Sequence, residues 1–200
     1  MNIRRFASII AAPLALAACV APVGPVEVTR FHDPAALARL GQGTIAIVPA
    51  PGSEEMAGSL EFASYRTAVA RELQGLGYEY VSSGNSAQLA ELRIERIAFR
   101  PGRDGSPVTV GGGASTGSYG SGVGVGIGID LSGPPPEQMT TEMQLMIRDR
   151  ASGSTLWEGR ASFTVRADSP LAGTQLGAPK LAAALLRDFP GNNGETVEVR

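Results

Sequence analysis

The sequence is short of the residues that most chemistry needs. It has one cysteine, one histidine, one tryptophan and, among 17 basic residues, a single lysine, Lys180. A lone cysteine excludes an internal disulfide, so the core must hold by packing alone. One histidine and one cysteine cannot make the usual zinc ligand sets, and the carboxylates are scattered apart from Glu54-Glu55. No metal and no cofactor is expected. A basic excess is also missing: the formal net charge is −2, and it falls to −4 once Arg4 and Arg5 are removed with the first 18 residues. That sign is wrong for a nucleic-acid surface. The apolar run from Phe6 to Ala18, broken only by Ser8 and Pro13, is too short for a spanning helix, which needs roughly 20 residues.

What that run does fit is an export signal. Met1 to Arg5 supplies the charged start and Phe6 to Ala18 the short apolar stretch. Its end, Leu16-Ala17-Ala18-Cys19, looks like the lipobox of bacterial lipoproteins, in which cleavage falls between Ala18 and Cys19 and the cysteine is acylated. A single acyl chain holds a protein only marginally, at about 0.8 kcal/mol per buried CH₂, whereas several chains make a lasting anchor. The expected organisation is a signal over 1–18, a lipidated tether over 19–25 and one domain over 26–200. The 182 residues left after cleavage are ample for a single core. The first partner is thus the bilayer, through acylated Cys19. Val20 stands where an aspartate would, in enteric bacteria, retain a lipoprotein in the inner membrane, so the outer membrane, periplasmic side, is favoured.

Periodicity supplies the architecture. Val26 to Phe31 alternates as a strand, and Thr44 to Val48 is apolar on both faces, the mark of a strand in mid-sheet, ended by Pro49 and Pro51. From Leu60 to Leu76, the residues Phe62, Tyr65, Val69, Leu73 and Leu76 form one helical stripe, with Ser59 as cap and Gly77 as left-handed exit. Tyr78 to Val81 reads as the strand that follows. Another strand runs from about Glu91 to Phe99. Its apolar parity changes from Leu92 and Ile94 to Ile97 and Phe99, which predicts a bulge or two-sided burial near Arg96. Glu142 to Val165 is a hairpin turning at Asp149 to Gly153, with Trp157, Ala161, Phe163 and Val165 on one face. Leu181, Leu185 and Phe189 mark a helix stopping at Pro190-Gly191, and Thr196 to Val199 closes the chain as a short strand or a frayed tail. The fold class expected is α+β, a mostly antiparallel sheet of about five to seven strands with two amphipathic helices on one face.

Between 101 and 136 the chain changes character. Ten of the 23 residues from Gly111 to Gly133 are glycine, and from Gly122 to Ile129 glycine alternates with valine or isoleucine. Residues 101–121 read as a mobile loop and 122–131 as a strand. Its Val and Ile would lie on one face, and Gly122, Gly124, Gly126 and Gly128 would leave the other bare. Glycine weakens a strand by roughly 0.5 to 1 kcal/mol per position, so this face is a candidate docking strand for an envelope partner.

These pieces line up with a family. The lipobox, Leu60-Glu61-Phe62-Ala63-Ser64-Tyr65 leading to Leu76-Gly77-Tyr78, the glycine-rich insert, Ile147-Arg148-Asp149 with Leu156-Trp157-Glu158-Gly159-Arg160-Ala161, and Phe189-Pro190 resemble the bacterial lipoproteins of the domain-of-unknown-function 4136 family. Where that family usually shows an Ala-Asp pair, residues 85–92 here depart from it. The resemblance implies an envelope lipoprotein and brings no catalytic residues.

Rival readings follow from motifs. Gly113-Ala114-Ser115-Thr116-Gly117 fits the nucleophile pattern G-x-S-x-G, which would make Ser115 a serine-hydrolase nucleophile. That elbow needs a preceding strand, a following helix and a later histidine, and His32 lies far upstream. No phosphate-binding glycine signature occurs in the insert. Tyr65, Trp157 and Phe163 could line a pocket for an apolar ligand between helices and sheet, against the plainer reading of core packing. The reading favoured is a non-catalytic binding or scaffolding module on the membrane.

Overall fold

The computed structural model describes residues 24–82, 85–102, 108–117, 120–129 and 135–200, with 108–117 and 120–129 described by backbone and register. The signal over 1–18, Ala18 and Cys19 lie outside them.

Seven strands form one mixed, mostly antiparallel sheet. In chain order the strands are β1 (Val26–His32), β2 (Thr44–Pro49), β3 (Glu79–Tyr80), β4 (Gln88–Phe99), β7 (Gln138–Asp149), β8 (Thr155–Arg166) and β9 (Thr196–Val199), while β5 (Val108–Gly117) and β6 (Gly120–Ile129) stand apart as a two-stranded sheet. Across the large sheet the order is β3-β2-β4-β7-β8-β1-β9. Only β2 pairs in parallel, with β3 and β4. That parallel pairing needs a crossover, and the helix α1 (Leu60–Gly75) supplies it between β2 and β3. The second helix, α2 (Thr174–Leu186), follows β8 and packs beside α1 on the same face.

The alternation that predicted the strands sorts their residues as expected. Val26 and Val28 on β1, Leu92 and Ile94 on β4, Met143, Leu145 and Ile147 on β7, and Ala161 and Phe163 on β8 are buried against the helices. Phe62, Tyr65, Val69 and Leu73 of α1 and Leu181 and Leu185 of α2 meet them. The Ser59 Oγ accepts from the Phe62 N–H at 3.0 Å, the cap that the sequence indicated. Gly77 has φ +101°, and a Cβ there would stand 2.6 Å from the Gly41 carbonyl oxygen, so glycine is required on two counts.

Three expectations are corrected. The register of β4 on β7 runs unbroken from Gln88↔Asp149 to Phe99↔Gln138, so no bulge lies near Arg96. Ile97 and Phe99 simply follow the solvent-facing parity of Glu91, Arg93 and Glu95, and both are exposed. The irregularity sits instead on β7–β8 between Ile147 and Arg148, where Leu156 and Trp157 are buried in succession. Second, α2 ends at Leu186. Phe189 lies beyond it and brings its ring to 5.2 Å from Trp157 and 6.5 Å from Tyr78. Third, the stretch read as loop, 101–121, contains β5. Its β-branched start, Val108-Thr109-Val110, pairs with Ile129, Gly128 and Ile127, and the ladder continues to Gly117↔Gly120. The run Gly111-Gly112-Gly113 hides an alternation that pairing with β6 makes visible.

Candidate functional site

Helices cover one face of the sheet; the other bears a charged ladder. On β4 the outward residues are Glu91, Arg93 and Glu95, on β7 Glu142, Gln144, Met146 and Arg148, and on β8 Glu158 and Arg160. Strand order places these rows side by side, and a cleft of about 590 Å³ opens over them. Its floor is Gln144, Met146, Glu158 and Arg160, with Phe31 and Pro51 among the residues at its sides.

Each arginine here is already engaged. Arg148 Nη1 meets Glu91 Oε1 at 3.2 Å, and its Nε and Nη2 donate to the Gly153 carbonyl. Arg160 Nε meets Glu142 Oε1 at 3.0 Å, and that oxygen also accepts from Gln144 Nε2 at 2.6 Å. Arg93 donates to the Pro51 carbonyl at 2.6 Å and approaches Glu95 at 3.9 Å. Each of the three arginines is thus paired with a carboxylate, which fixes side-chain directions, and Glu158 adds a fourth acid, so the face builds no concentrated anion site. Among the described residues the lining holds no histidine, cysteine or serine. Such a surface suits recognition of another polar, partly apolar surface, with Met146 and Phe31 as the apolar contributions.

The residues singled out in the sequence fall elsewhere. Tyr65, Trp157 and Phe163 do not line the cleft and are buried in the core, and burial pushes the Tyr65 hydroxyl up to about 12. Trp157 Nε1 donates to the Pro190 carbonyl at 2.9 Å. A second cleft, about 480 Å³, lies between α1 and α2 and is lined by Leu60, Ala63, Thr67, Thr174 and Pro179 among others; it does not include those aromatics either. Ser115 lies within β5 opposite Gly122 of β6, so a strand and not a helix follows it. Gly122, Gly124, Gly126 and Gly128 all fall in β6, at positions opposite Ser115, Gly113, Gly111 and Thr109. His32 ends β1, with its backbone N–H donating to the Asn193 side-chain Oδ1 at 3.2 Å. Its Nδ1 is buried without a hydrogen-bond partner among the described residues. No group of three or more potential metal ligands occurs among the described residues.

Sequence reasoning missed the cleft. Its signal was present in the charges that alternate with core residues, Glu91-Leu92-Arg93-Ile94-Glu95 above all.

No family model and no curated protein matches the sequence. Among solved structures, the chain is similar to a PDZ domain protein from Parabacteroides distasonis at 11% identity and TM-score 0.47, over 88% of this chain and 39% of that one. It is also similar to the PelC dodecamer from Paraburkholderia phytofirmans at 16% identity and TM-score 0.45, over 80% of this chain and 94% of that one. A point variant of that PelC aligns at 15% identity and TM-score 0.42. The chain thus spans well under half the length of the first of these structures.

Proposed function

We propose that this chain is a lipid-anchored envelope lipoprotein, facing the periplasm from the outer membrane and acting as a non-catalytic binding or scaffolding module. One observation carries the reading: a dibasic start and a short apolar run end on Leu-Ala-Ala-Cys, with the chain's single cysteine at the one position lipidation requires. The resemblance to the domain-of-unknown-function 4136 lipoproteins, resting on the residues quoted above, supports it. The cleft on the open sheet face is the binding surface in this reading, because it is the large concave surface whose polar groups are already held in direction by ion pairs.

Metabolic labelling with palmitate tests the anchor. The wild-type chain incorporates label and sediments with membranes. Cys19→Ser loses the label, and the chain either leaves the membrane fraction or keeps its signal. Normal processing and membrane retention of Cys19→Ser would overturn the reading.

A further inference from the structure

No helix among the described residues is long and apolar enough to cross a membrane. A chain can also cross as strands, provided that closure into a barrel pairs every backbone group. The β5–β6 hairpin has the length and the pattern for this. Each strand has ten residues. At roughly 3.3 Å per residue and a tilt of about 40°, such a strand spans roughly 25 Å, the height of the apolar band of an outer-membrane barrel. From Val108 to Ile129 no residue is charged, while Arg103 and Asp104 lie just before and Asp130 follows at once. The register gathers Val108, Val110, Val123, Val125, Ile127 and Ile129 onto one face, with Gly112, Ala114, Thr116 and Ser121 on the same face toward the turn. The opposite face carries glycine, serine and threonine alone. The alternation of apolar and small positions that marks a barrel strand runs through β6 from Gly122 to Ile129 and through the start of β5 from Val108 to Val110.

The place from which the hairpin leaves the domain is an independent observation. One row across the sheet reads Glu27, Ser162, Glu142, Glu95. Beyond that row, toward the same end, lie Val26 at the start of β1, Phe99 at the end of β4 and Gln138 at the start of β7. The tether from Cys19 and both arms of the hairpin therefore join the sheet at one end. Six residues lie between Cys19 and Val26, seven steps along the chain, so that end stands no more than about 25 Å from the anchoring cysteine. The helix N-termini gather there too: Arg96 Nη1 meets Glu61 Oε1 at 2.8 Å, and Thr174 donates to the same carboxylate at 3.2 Å. Exposed apolar side chains concentrate at this end, with Leu60 at 88%, Ile97 at 59%, Leu176 at 53% and Phe99 at 41% exposure. Among the described residues, Phe31 and Leu37 are the exposed large apolar residues elsewhere.

We propose that the β5–β6 hairpin enters the bilayer that holds the lipid anchor, Val and Ile face to the hydrocarbon, as one hairpin of a β-barrel closed by further copies of this chain. This rests on the anchored reading above. The bilayer is the occupant because the tether brings it to this end. Further copies are required because a lone two-stranded ribbon would leave the outer backbone groups of both strands unpaired in lipid. The small-residue face then lines the lumen, where glycine lets neighbouring backbones approach.

The test is cysteine scanning of the full-length chain in its own envelope, where acylated Cys19 offers no free thiol. Gly122→Cys, Gly124→Cys and Gly126→Cys should react with a polar maleimide in isolated envelopes. Val123→Cys, Val125→Cys and Ile127→Cys should lose that reaction until detergent dissolves the membrane. Thr109→Cys and Val110→Cys replace any variant that fails to accumulate. Equal labelling of the two series, with palmitate incorporated normally, would sink the hairpin proposal and leave the anchor standing. An alternation unchanged by removing the membrane would mean that the hairpins pair in water, and would overturn insertion. Absence of palmitate from the wild type would remove the anchor and the proposal together.

Discussion

Gly159 shows how closely the core is fitted. A methyl group there would stand 2.4 Å from the Trp157 ring and 2.8 Å from Leu185 Cδ1, so the ring lies across bare backbone, held by its N–H on Pro190. Gly159→Ala forces the indole or α2 outward and should cost about 1–3 kcal/mol, the usual penalty of overpacking. Thermal melting measures it, and an unchanged melting temperature would show that the indole is not seated over Gly159. Arg30 is the other residue whose role depends on the fold. It continues the buried parity of Val26 and Val28, yet it is charged. Its Nε and Nη2 donate to the Leu185 and Ala184 carbonyls at 2.8 and 2.9 Å, which occupies acceptors left over at the end of α2. Burial pushes its pKa down, and Asp188 and Glu195 oppose that shift.

At the scale of elements, α1 carries the clearest test. Leu73 is buried with Val69 and Tyr65 on the stripe that faces the sheet. An unpaired carboxylate there costs several kcal/mol against a total stability of about 5–15 kcal/mol, so Leu73→Asp should prevent folding. Soluble expression with an ordinary melt would show that the stripe faces away from the core. This helix was legible because a 3.6-residue period, a cap and an exit glycine are all local. The β7–β8 hairpin was legible for the same reason: a period of two on either side of a turn. The lower half of β4 was not, because Ile97 and Phe99 are apolar on a solvent-facing parity, and sequence alone takes apolar residues as core. Residues 108–117 hid their strand because three successive glycines carry no alternation. The cleft was illegible for a different reason. It exists only once β4, β7, β8 and β1 lie side by side, an order set by pairings distant in sequence.

Over the whole molecule, the two sheets are separate hydrogen-bonded units. The seven-stranded sheet with its helices holds the core, and the β5–β6 ladder is hydrogen-bonded as a separate unit. Phe99 and Gln138, the strand ends that bracket the insert, are themselves partners in the β4–β7 register. A tight turn can therefore join them directly. Replacing residues 101–136 with four Gly-Ser residues shortens the loop closed by that pair about sixfold, between two and three doublings. At about 0.6 kcal/mol per doubling this favours the shortened chain by roughly 1.5 kcal/mol. The shortened protein should thus melt cooperatively at the same or a higher temperature, as followed by circular dichroism, and should still take up palmitate at Cys19. What it should lose is any association that depends on the hairpin. A broad or lowered melt would instead show that the hairpin packs on the domain and contributes to its stability, and the independence of the two sheets would then fail.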